Sequence, residues 1–290
     1  MSELLQQQLS DTSPKKGVKP AVRVGIEYNS ALQLITREIK KDIDTVLIPA
    51  LRKLSPQYSK DSVITVTTRD AWLPEITGIL QQIITKWSSP SFRALGESIA
   101  RKFVKSADDV NEKRFGINIY GDDVILQEYI EASIYDNTNL ITSIPTQYLA
   151  QVESIVMTNV RAGNRSSSII KTLQQQYGVS KRRAKQIARD QTAKVNGDLS
   201  KKRQQLAGFD YFQWQDSDDS RVRDRHESIA NKMTEYGKGV YRWDNPPLSD
   251  KGVPIIPGSD YSCRCIAIPV SNEEVIENQN AGRTRKGVKR

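Results

Sequence analysis

The side chains best suited to metal binding and proton transfer are confined to one segment, residues 209–269. His226 is the only histidine of the 290-residue chain, and Cys263 and Cys265 are its only cysteines. Zinc in proteins is commonly bound by imidazole and thiolate groups, and imidazole also exchanges protons near neutral pH. Two thiols two positions apart on an extended strand lie on the same face, so one ion can contact both.

The first interpretation of this segment is a zinc site. Three ligands would be His226, Cys263 and Cys265, and Asp218 or Asp219 would supply the fourth. The ion would hold the long loop between the histidine and the cysteines in place, in a segment poor in apolar residues. The spacing differs from the common zinc patterns, in which two residues separate the cysteines. The sequence thus leaves the cofactor unknown, with zinc as the candidate.

The second interpretation is a hydrolase that uses a thiol or a metal ion. His226 would act as the base, Cys263 or Cys265 as the nucleophile, and Arg221 or Arg223 would stabilise an oxyanion. This chemistry requires the thiol and the imidazole to lie within hydrogen-bond reach, which the sequence alone does not establish.

The third interpretation is structural. Both cysteines would be small buried residues, and the histidine would donate a hydrogen bond to a backbone carbonyl. The neighbouring arginines would pair with Asp218, Asp219 and Asp224 in a surface network. Trp214 and Trp243 are predicted to be core aromatics.

Composition narrows the class of protein. Apolar residues make up 37% of the chain, and no apolar run approaches the roughly 20 residues needed to span a bilayer, so we expect no membrane partner. The first residues lack the pattern of a signal peptide, and two closely spaced cysteines fit reduced thiols in a cytoplasm. No phosphate-binding loop or base-reading motif is visible.

The net charge of +9 predicts an acidic partner. Basic residues are concentrated in a predicted helix and at the C-terminal end, where they either contact DNA phosphates or form solvated faces. The candidates for DNA proximity are Lys181, Arg182, Lys185, Arg283, Arg285, Lys286, Lys289 and Arg290.

Hydrophobic periodicity predicts a largely helical chain. Ser143 before Pro145 is expected to separate two helices, and Gly178 to close another, with Ser180 as the N-cap of the long basic helix. Strands are predicted at residues 211–215 and 266–270. Helices are predicted at residues 27–53, 72–87, 92–105, 124–134, 146–161, 166–176 and 181–207.

The fold class predicted is α+β: a mainly helical N-terminal body, then a small α+β module in which a long basic helix packs under a loop-rich cap of short strands. Residues 1–20 are expected to form a mobile arm and residues 21–163 the helical body. Residues 164–271 form the α+β module, and residues 272–290 a basic disordered tail.

Several landmarks occur in one order from about residue 137 onward, most densely over residues 180–269. They are Asn139-Leu-Ile-Thr-Ser-Ile-Pro145, Gln147-Tyr148, Arg183-Ala-Lys-Gln-Ile-Ala-Arg189-Asp190-Gln191, Lys194, Asn196, Gly208, Trp214, Asp219, Arg221-Val222-Arg223, His226, Pro257-Gly258 and Cys263-Arg264-Cys265. In these landmarks and their order, the sequence resembles the minor head proteins of tailed double-stranded DNA bacteriophages, the family named after the F protein of phage Mu. The family usually has a glycine turn after the histidine, whereas here Asn231 is followed by Lys232.

The resemblance implies a late protein, present in few copies in the virion head and acting in head assembly or DNA delivery. It implies the portal protein, other head proteins and packaged double-stranded DNA as partners, with assembly in the host cytoplasm. The family-independent alternatives are a hydrolase carried in the virion and a nonspecific DNA-binding accessory protein.

Overall fold

The computed structural model describes residues 16–54, 72–116, 124–162 and 164–287, and the side chains within them except at 54, 72 and 282–287. A mainly helical body and a small antiparallel sheet towards the C-terminal end confirm the predicted α+β class. The helices are α1 (Val22–Asp42), α2 (Ile48–Leu54), α3 (Trp72–Trp87), α4 (Pro90–Phe115), α5 (Val124–Arg161), α6 (Ser166–Leu206), α7 (Asp224–Asn231) and α8 (Asn272–Gly287). The strands are β1 (Tyr211–Gln215), β2 (Met233–Thr234), β3 (Gly237–Lys238), β4 (Val240–Arg242) and β5 (Ile266–Val270).

The three-stranded sheet has the order β4-β1-β5, and both of its pairings are antiparallel. On β1, Phe212 lies opposite Tyr241, and Trp214 lies opposite Ala267. Both aromatic side chains are buried, as alternation along a strand with one covered face requires. The bounds of β1 and β5 are those that the sequence predicted. Strands β2 and β3 form a separate two-stranded hairpin.

The predicted helix break at Pro145 is wrong, because α5 continues through it. A proline inside a helix removes one backbone hydrogen bond and costs about 3 kcal/mol. Ile141, Ile144 and Tyr148, within one turn of the proline, are all buried. Burial of side chains this large offsets a cost of that size.

The predicted helix end at Gly178 and the N-cap at Ser180 are also wrong. Helix α6 runs without interruption through both residues. A glycine in a helix interior costs about 1 kcal/mol relative to alanine. This cost is too small to end a helix whose turns before and after the glycine are buried. Leu173 and Ala184, before and after the glycine, are buried.

Residues 272–287, predicted to be part of a disordered tail, form α8. The oxygen of the Ser271 side chain accepts from the Glu274 backbone N–H at 3.2 Å, and a Glu274 carboxylate oxygen accepts from the Ser271 N–H at 3.0 Å. This is a capping box, which satisfies two donors at a helix start. Val275 packs with Val240 and Val270. The basic side chains from Arg283 onward lie outside the described residues.

The chain divides into two compact units, and α1, α4, α5 and α6 contribute residues to both. One unit comprises residues 26–102 and 134–188 and is helical. Its buried side chains include Leu32 and Ile39 on α1 and Ile76, Leu80 and Ile83 on α3, which recur at helical spacing as predicted. A π-helical turn, Ile43–Leu47, joins α1 to α2, where the sequence predicted one helix.

The other unit comprises residues 1–25, 103–133 and 189–290 and contains the sheet. Its central apolar cluster includes Phe212, Trp214 and Trp243 together with both cysteines. The Phe212 and Trp243 rings stack with centroids 4.0 Å apart. Both tryptophans are therefore core aromatics, as predicted. None of the described helices has the length and apolarity required to cross a bilayer.

Candidate functional site

His226, Cys263 and Cys265 come together in the sheet-containing unit. The histidine lies in the first turns of α7, and the cysteines lie in the segment that leads into β5. The Cys263 sulfur is 3.7 Å and the Cys265 sulfur 3.5 Å from the histidine Nδ1. All three residues are buried, with 3%, 3% and 5% of their surfaces exposed in the order named. One histidine nitrogen and two cysteine sulfur atoms therefore lie close together in the interior.

The opposite nitrogen of the histidine ring contacts a carboxylate. His226 Nε2 lies 3.1 Å from Asp260 Oδ2, and the Arg223 guanidinium reaches the same oxygen at 3.0 Å. An ionised carboxylate accepts but does not donate, so Nε2 carries a hydrogen and Nδ1 faces the sulfur atoms, as an acceptor in the neutral ring and as a donor in the imidazolium. The partner of the histidine is therefore a carboxylate and not the backbone carbonyl of the structural interpretation.

The Cys263 sulfur accepts hydrogen bonds from two backbone N–H groups. The nitrogen atoms of Gly258 and Cys265 each lie 3.4 Å from this sulfur. The hydrogen bond from the Cys265 thiol, followed by that from His226, lowers the pKa of Cys263. The pKa of Cys265 is raised by its bond to Cys263 and by burial, and the pKa of His226 is raised chiefly by its bond to Cys263. Cys263 is accordingly the thiol that ionises first.

Helix α6 supports the loop that carries the cysteines. Asp190 Oδ1 accepts from the Ser262 backbone N–H at 2.9 Å and holds Ser262 at a φ of +52°. Gly258 has a φ of +93°, and a Cβ there would lie 2.6 Å from the Ala193 carbonyl oxygen. A Cβ at Gly197 would lie 2.3 Å from the Pro257 oxygen. Two glycines therefore permit the close approach of loop and helix.

Asp219 is bound by arginine instead of joining the three-residue group. Both of its carboxylate oxygens accept from the Arg264 guanidinium, one of them at 2.6 Å, and its Oδ1 accepts from the Arg221 N–H at 2.9 Å. These bonds, that with Arg264 first, lower the pKa of Asp219. Asp218 adopts a φ of +48°, and its N–H donates to Asp216. Among the described residues, the group of metal-ligating side chains contains neither Asp218 nor Asp219.

The predicted arginine–aspartate network is present in part. Arg221 pairs with Asp219 at 3.1 Å, whereas Arg223 pairs with Asp260. Asp260 is the functional residue that the sequence reasoning missed. It lies three positions before Cys263, but five other aspartates lie between residue 209 and the histidine, so the sequence alone does not single it out.

A small cleft of about 90 Å³ opens beside the three residues. Besides His226 and the two cysteines, four guanidinium-bearing residues line it: Arg189, Arg221, Arg223 and Arg264. Such a lining attracts water and small anions.

Comparison with known proteins identifies the region that contains this site. Residues 150–268 match the family described as Phage Mu protein F like protein. The chain carries a phage Mu F-like region. This confirms the resemblance drawn from the order of the landmarks, and supports a phage head morphogenesis protein.

An uncharacterized protein of Haemophilus influenzae is 26% identical to the chain over 291 residues. The alignment covers 96% of the chain and 60% of that protein, so the chain spans about 60% of the length of this curated relative. No solved structure is significantly similar to the chain.

Several landmark residues of the phage Mu F-like region make hydrogen bonds or close contacts within the sheet-containing unit. Asn196 donates to the Val18 carbonyl at 2.8 Å, and its side-chain oxygen accepts from Asn111 at 3.2 Å. Asp190 and Gly258 shape the cysteine loop as described above. Packing and hydrogen bonding account for these positions, and Asp190 and Gly258 contribute to the position of the loop that carries the cysteines.

The basic residues predicted to lie near DNA are only partly within the described part of the chain. Lys181, Arg182 and Lys185 are exposed on α6. Their neighbours Ala184 and Ala188 are buried, so the basic side chains occupy the solvent face of that helix.

Proposed function

We propose that this chain is a structural, non-enzymatic protein of a tailed-phage head that associates with the portal vertex and lies close to packaged DNA. The observation that carries the proposal is the phage Mu F-like match over residues 150–268. Head assembly or DNA delivery is the step in which it acts, with the portal protein and other head proteins as partners. The protein would be made late and be present in few copies.

The contact proposed with DNA is electrostatic and independent of base sequence. The net charge is +9, and Lys181, Arg182 and Lys185 are exposed on one helix. Lysine and arginine bind phosphates by displacing counterions, without reading bases. Packaged DNA presents such phosphates at high density, so this surface suits a protein beside it.

The geometry of the site favours a structural role over turnover. The two sulfur atoms belong to residues that are almost fully buried, and the adjoining cleft holds about 90 Å³. Pockets that enclose small-molecule substrates usually measure about 300–1,000 Å³. A cleft of the observed size admits water or a small ion but not a peptide or a sugar.

A thiol hydrolase is the second candidate, because one observation favours it. Asp260, His226 and Cys263 stand in the order carboxylate, imidazole, thiol, which is the arrangement of an activated nucleophile. Replacing Cys263 with alanine separates the two functions. A hydrolase would lose phage function while the variant still enters the head, whereas a structural site would lose thermal stability and incorporation together.

Co-purification with the portal tests the leading proposal. The chain is co-expressed with the portal protein of the same phage, and portal rings are isolated by affinity and size exclusion. We expect the chain to elute with the ring at a fixed ratio. Elution of all of the chain apart from the ring, over a range of salt concentrations, would contradict portal association.

Gene deletion provides the genetic test. We expect a phage without this gene to produce defective heads or particles that do not infect, and a plasmid copy to restore both. Normal assembly and normal infectivity without the gene would exclude the proposed role.

A further inference from the structure

We propose that His226 Nδ1 and the sulfur atoms of Cys263 and Cys265 bind one zinc ion, with the fourth coordination position open to the arginine-lined cleft. Nitrogen and two thiolate sulfurs form a donor set that zinc prefers over hard cations such as magnesium. The three donor atoms all lie within 4.8 Å of one another.

The distances between the donor atoms fit a tetrahedral zinc ion. Zinc–sulfur bonds of about 2.3 Å and a zinc–nitrogen bond of about 2.0 Å at a tetrahedral angle place nitrogen and sulfur roughly 3.5 Å apart. The observed separations from His226 Nδ1 are 3.7 Å to the Cys263 sulfur and 3.5 Å to the Cys265 sulfur. Binding therefore requires little movement of either side chain.

The groups around the ligands also have the arrangement found at zinc sites. A ligating histidine usually donates its other N–H to a carboxylate, which fixes the ring and its tautomer. Asp260 occupies this position at 3.1 Å, and Arg223 anchors Asp260 in turn. The backbone N–H groups of Gly258 and Cys265 point at the Cys263 sulfur, where they would stabilise a metal-bound thiolate.

The fourth ligand comes from the cleft and not from Asp218 or Asp219. Asp219 is held in two hydrogen bonds by Arg264, and neither aspartate belongs to the three-residue group. The cleft is lined by all three ligands and by arginines, so water or a small anion can reach the remaining position.

Elemental analysis of the purified full-length chain tests the site. The protein is expressed without a histidine tag, kept under reducing conditions and dialysed against metal-free buffer. We expect about one zinc ion per chain. We expect that content to fall by at least tenfold in His226→Ala, Cys263→Ser and Cys265→Ser, and to remain unchanged in the matched controls Asp218→Asn and Asp219→Asn.

Cobalt replacement gives a reading that does not depend on the stability of the variants. Cobalt bound to the wild-type chain should show thiolate-to-cobalt charge-transfer absorption together with the intense visible bands of tetrahedral cobalt. Asp260→Asn should still bind one ion at saturation, with an affinity about 10- to 100-fold weaker, because Asp260 positions the histidine without touching the metal.

Three results would overturn the inference. The first is a wild-type chain that binds no zinc and shows no thiolate-to-cobalt absorption, including the case in which Cys263 and Cys265 form a disulfide under reducing conditions. The second is zinc retained by all three ligand variants. The third is loss of zinc in Asp218→Asn or Asp219→Asn, which would place the fourth ligand on the protein.

Discussion

At the scale of single residues, the site depends on which hydrogen bonds the polar groups near the cysteines already make. Asp260 is hydrogen-bonded to His226, whereas Asp219 is bound to Arg264, the residue that lies between the two cysteines in the sequence. The two carboxylates thus have different tasks: one orients the imidazole, and the other anchors the arginine that separates the thiols.

Asp219 should stabilise the fold in a pH-dependent way. Its pKa in the folded chain lies below the ordinary value of 3.8, so its contribution is fully present above that value and is lost as the pH falls through the lowered one. We expect Asp219→Asn to lower the urea midpoint at neutral pH and the difference from wild type to shrink at acidic pH. Urea unfolding at a series of pH values measures this.

Asp218→Asn is the matched control, since it makes the same charge change one position away and asparagine tolerates the φ of +48° there. A difference between Asp219→Asn and wild type that stays constant or grows as the pH falls would contradict the role assigned to the Arg264 pair.

At the scale of elements, α6 and the cysteine loop approach through glycine. Gly197→Ala would place a methyl group 2.3 Å from the Pro257 carbonyl oxygen, so helix and loop must separate. We expect it to destabilise the fold by about 1–3 kcal/mol. Chemical denaturation monitored by circular dichroism measures the change.

Gly178→Ala in the same helix is the control. The nearest atom to its added methyl group is the Arg182 Nη1, 3.6 Å away at the end of a flexible side chain. Alanine is the better helix former by about 1 kcal/mol, so this variant should be as stable as wild type or more so. Equal losses in both variants would contradict the close packing of loop and helix.

Removal of the proposed zinc ion should loosen the loop that it connects. Without the ion, residues 227–262 would keep only their hydrogen bonds and the apolar cluster. We expect a chelator to lower the melting temperature and to speed amide hydrogen exchange in this loop, with helix α3 unaffected. Exchange that is identical with and without chelator, in protein shown to contain zinc, would contradict a structural role for the ion.

The sequence was sufficient where one local signal dominated. The loss of helical periodicity after Gly208 predicted both β1 and β5 with their bounds, and the rarity of histidine and cysteine predicted the three residues that meet. Prediction from the sequence failed at Pro145 and Gly178, because burial of the neighbouring helical turns offsets the local cost of each residue. Asp260 could not be predicted because its partner lies 34 positions away, and the distance is set by the fold. The capping box at Ser271 could have been found from its spacing.

At the scale of the whole molecule, the proposed contact with DNA depends on charge. Each phosphate neutralised contributes about 0.9 to the slope of log affinity against log salt. Replacing Lys181, Arg182 and Lys185 together with alanine should therefore weaken binding to duplexes of any sequence and reduce the slope by up to about 3. Fluorescence anisotropy over a salt series measures both.

A variant with the same loss of charge elsewhere is the control. Lys102, Lys105 and Lys113 are exposed on α4, and replacing these three with alanine changes the net charge equally. Equal effects of the two triple variants would show that total charge, and not the basic face of α6, governs binding to DNA.

The central claim is that the chain is a component of the phage head. The most direct test is quantitative mass spectrometry of the chain in purified, DNA-filled heads, normalised to the portal protein. The account predicts a fixed ratio corresponding to a few copies per head, retained after washing in high salt. Heads that lack the chain, while the lysate from which they were purified contains it, would contradict the account.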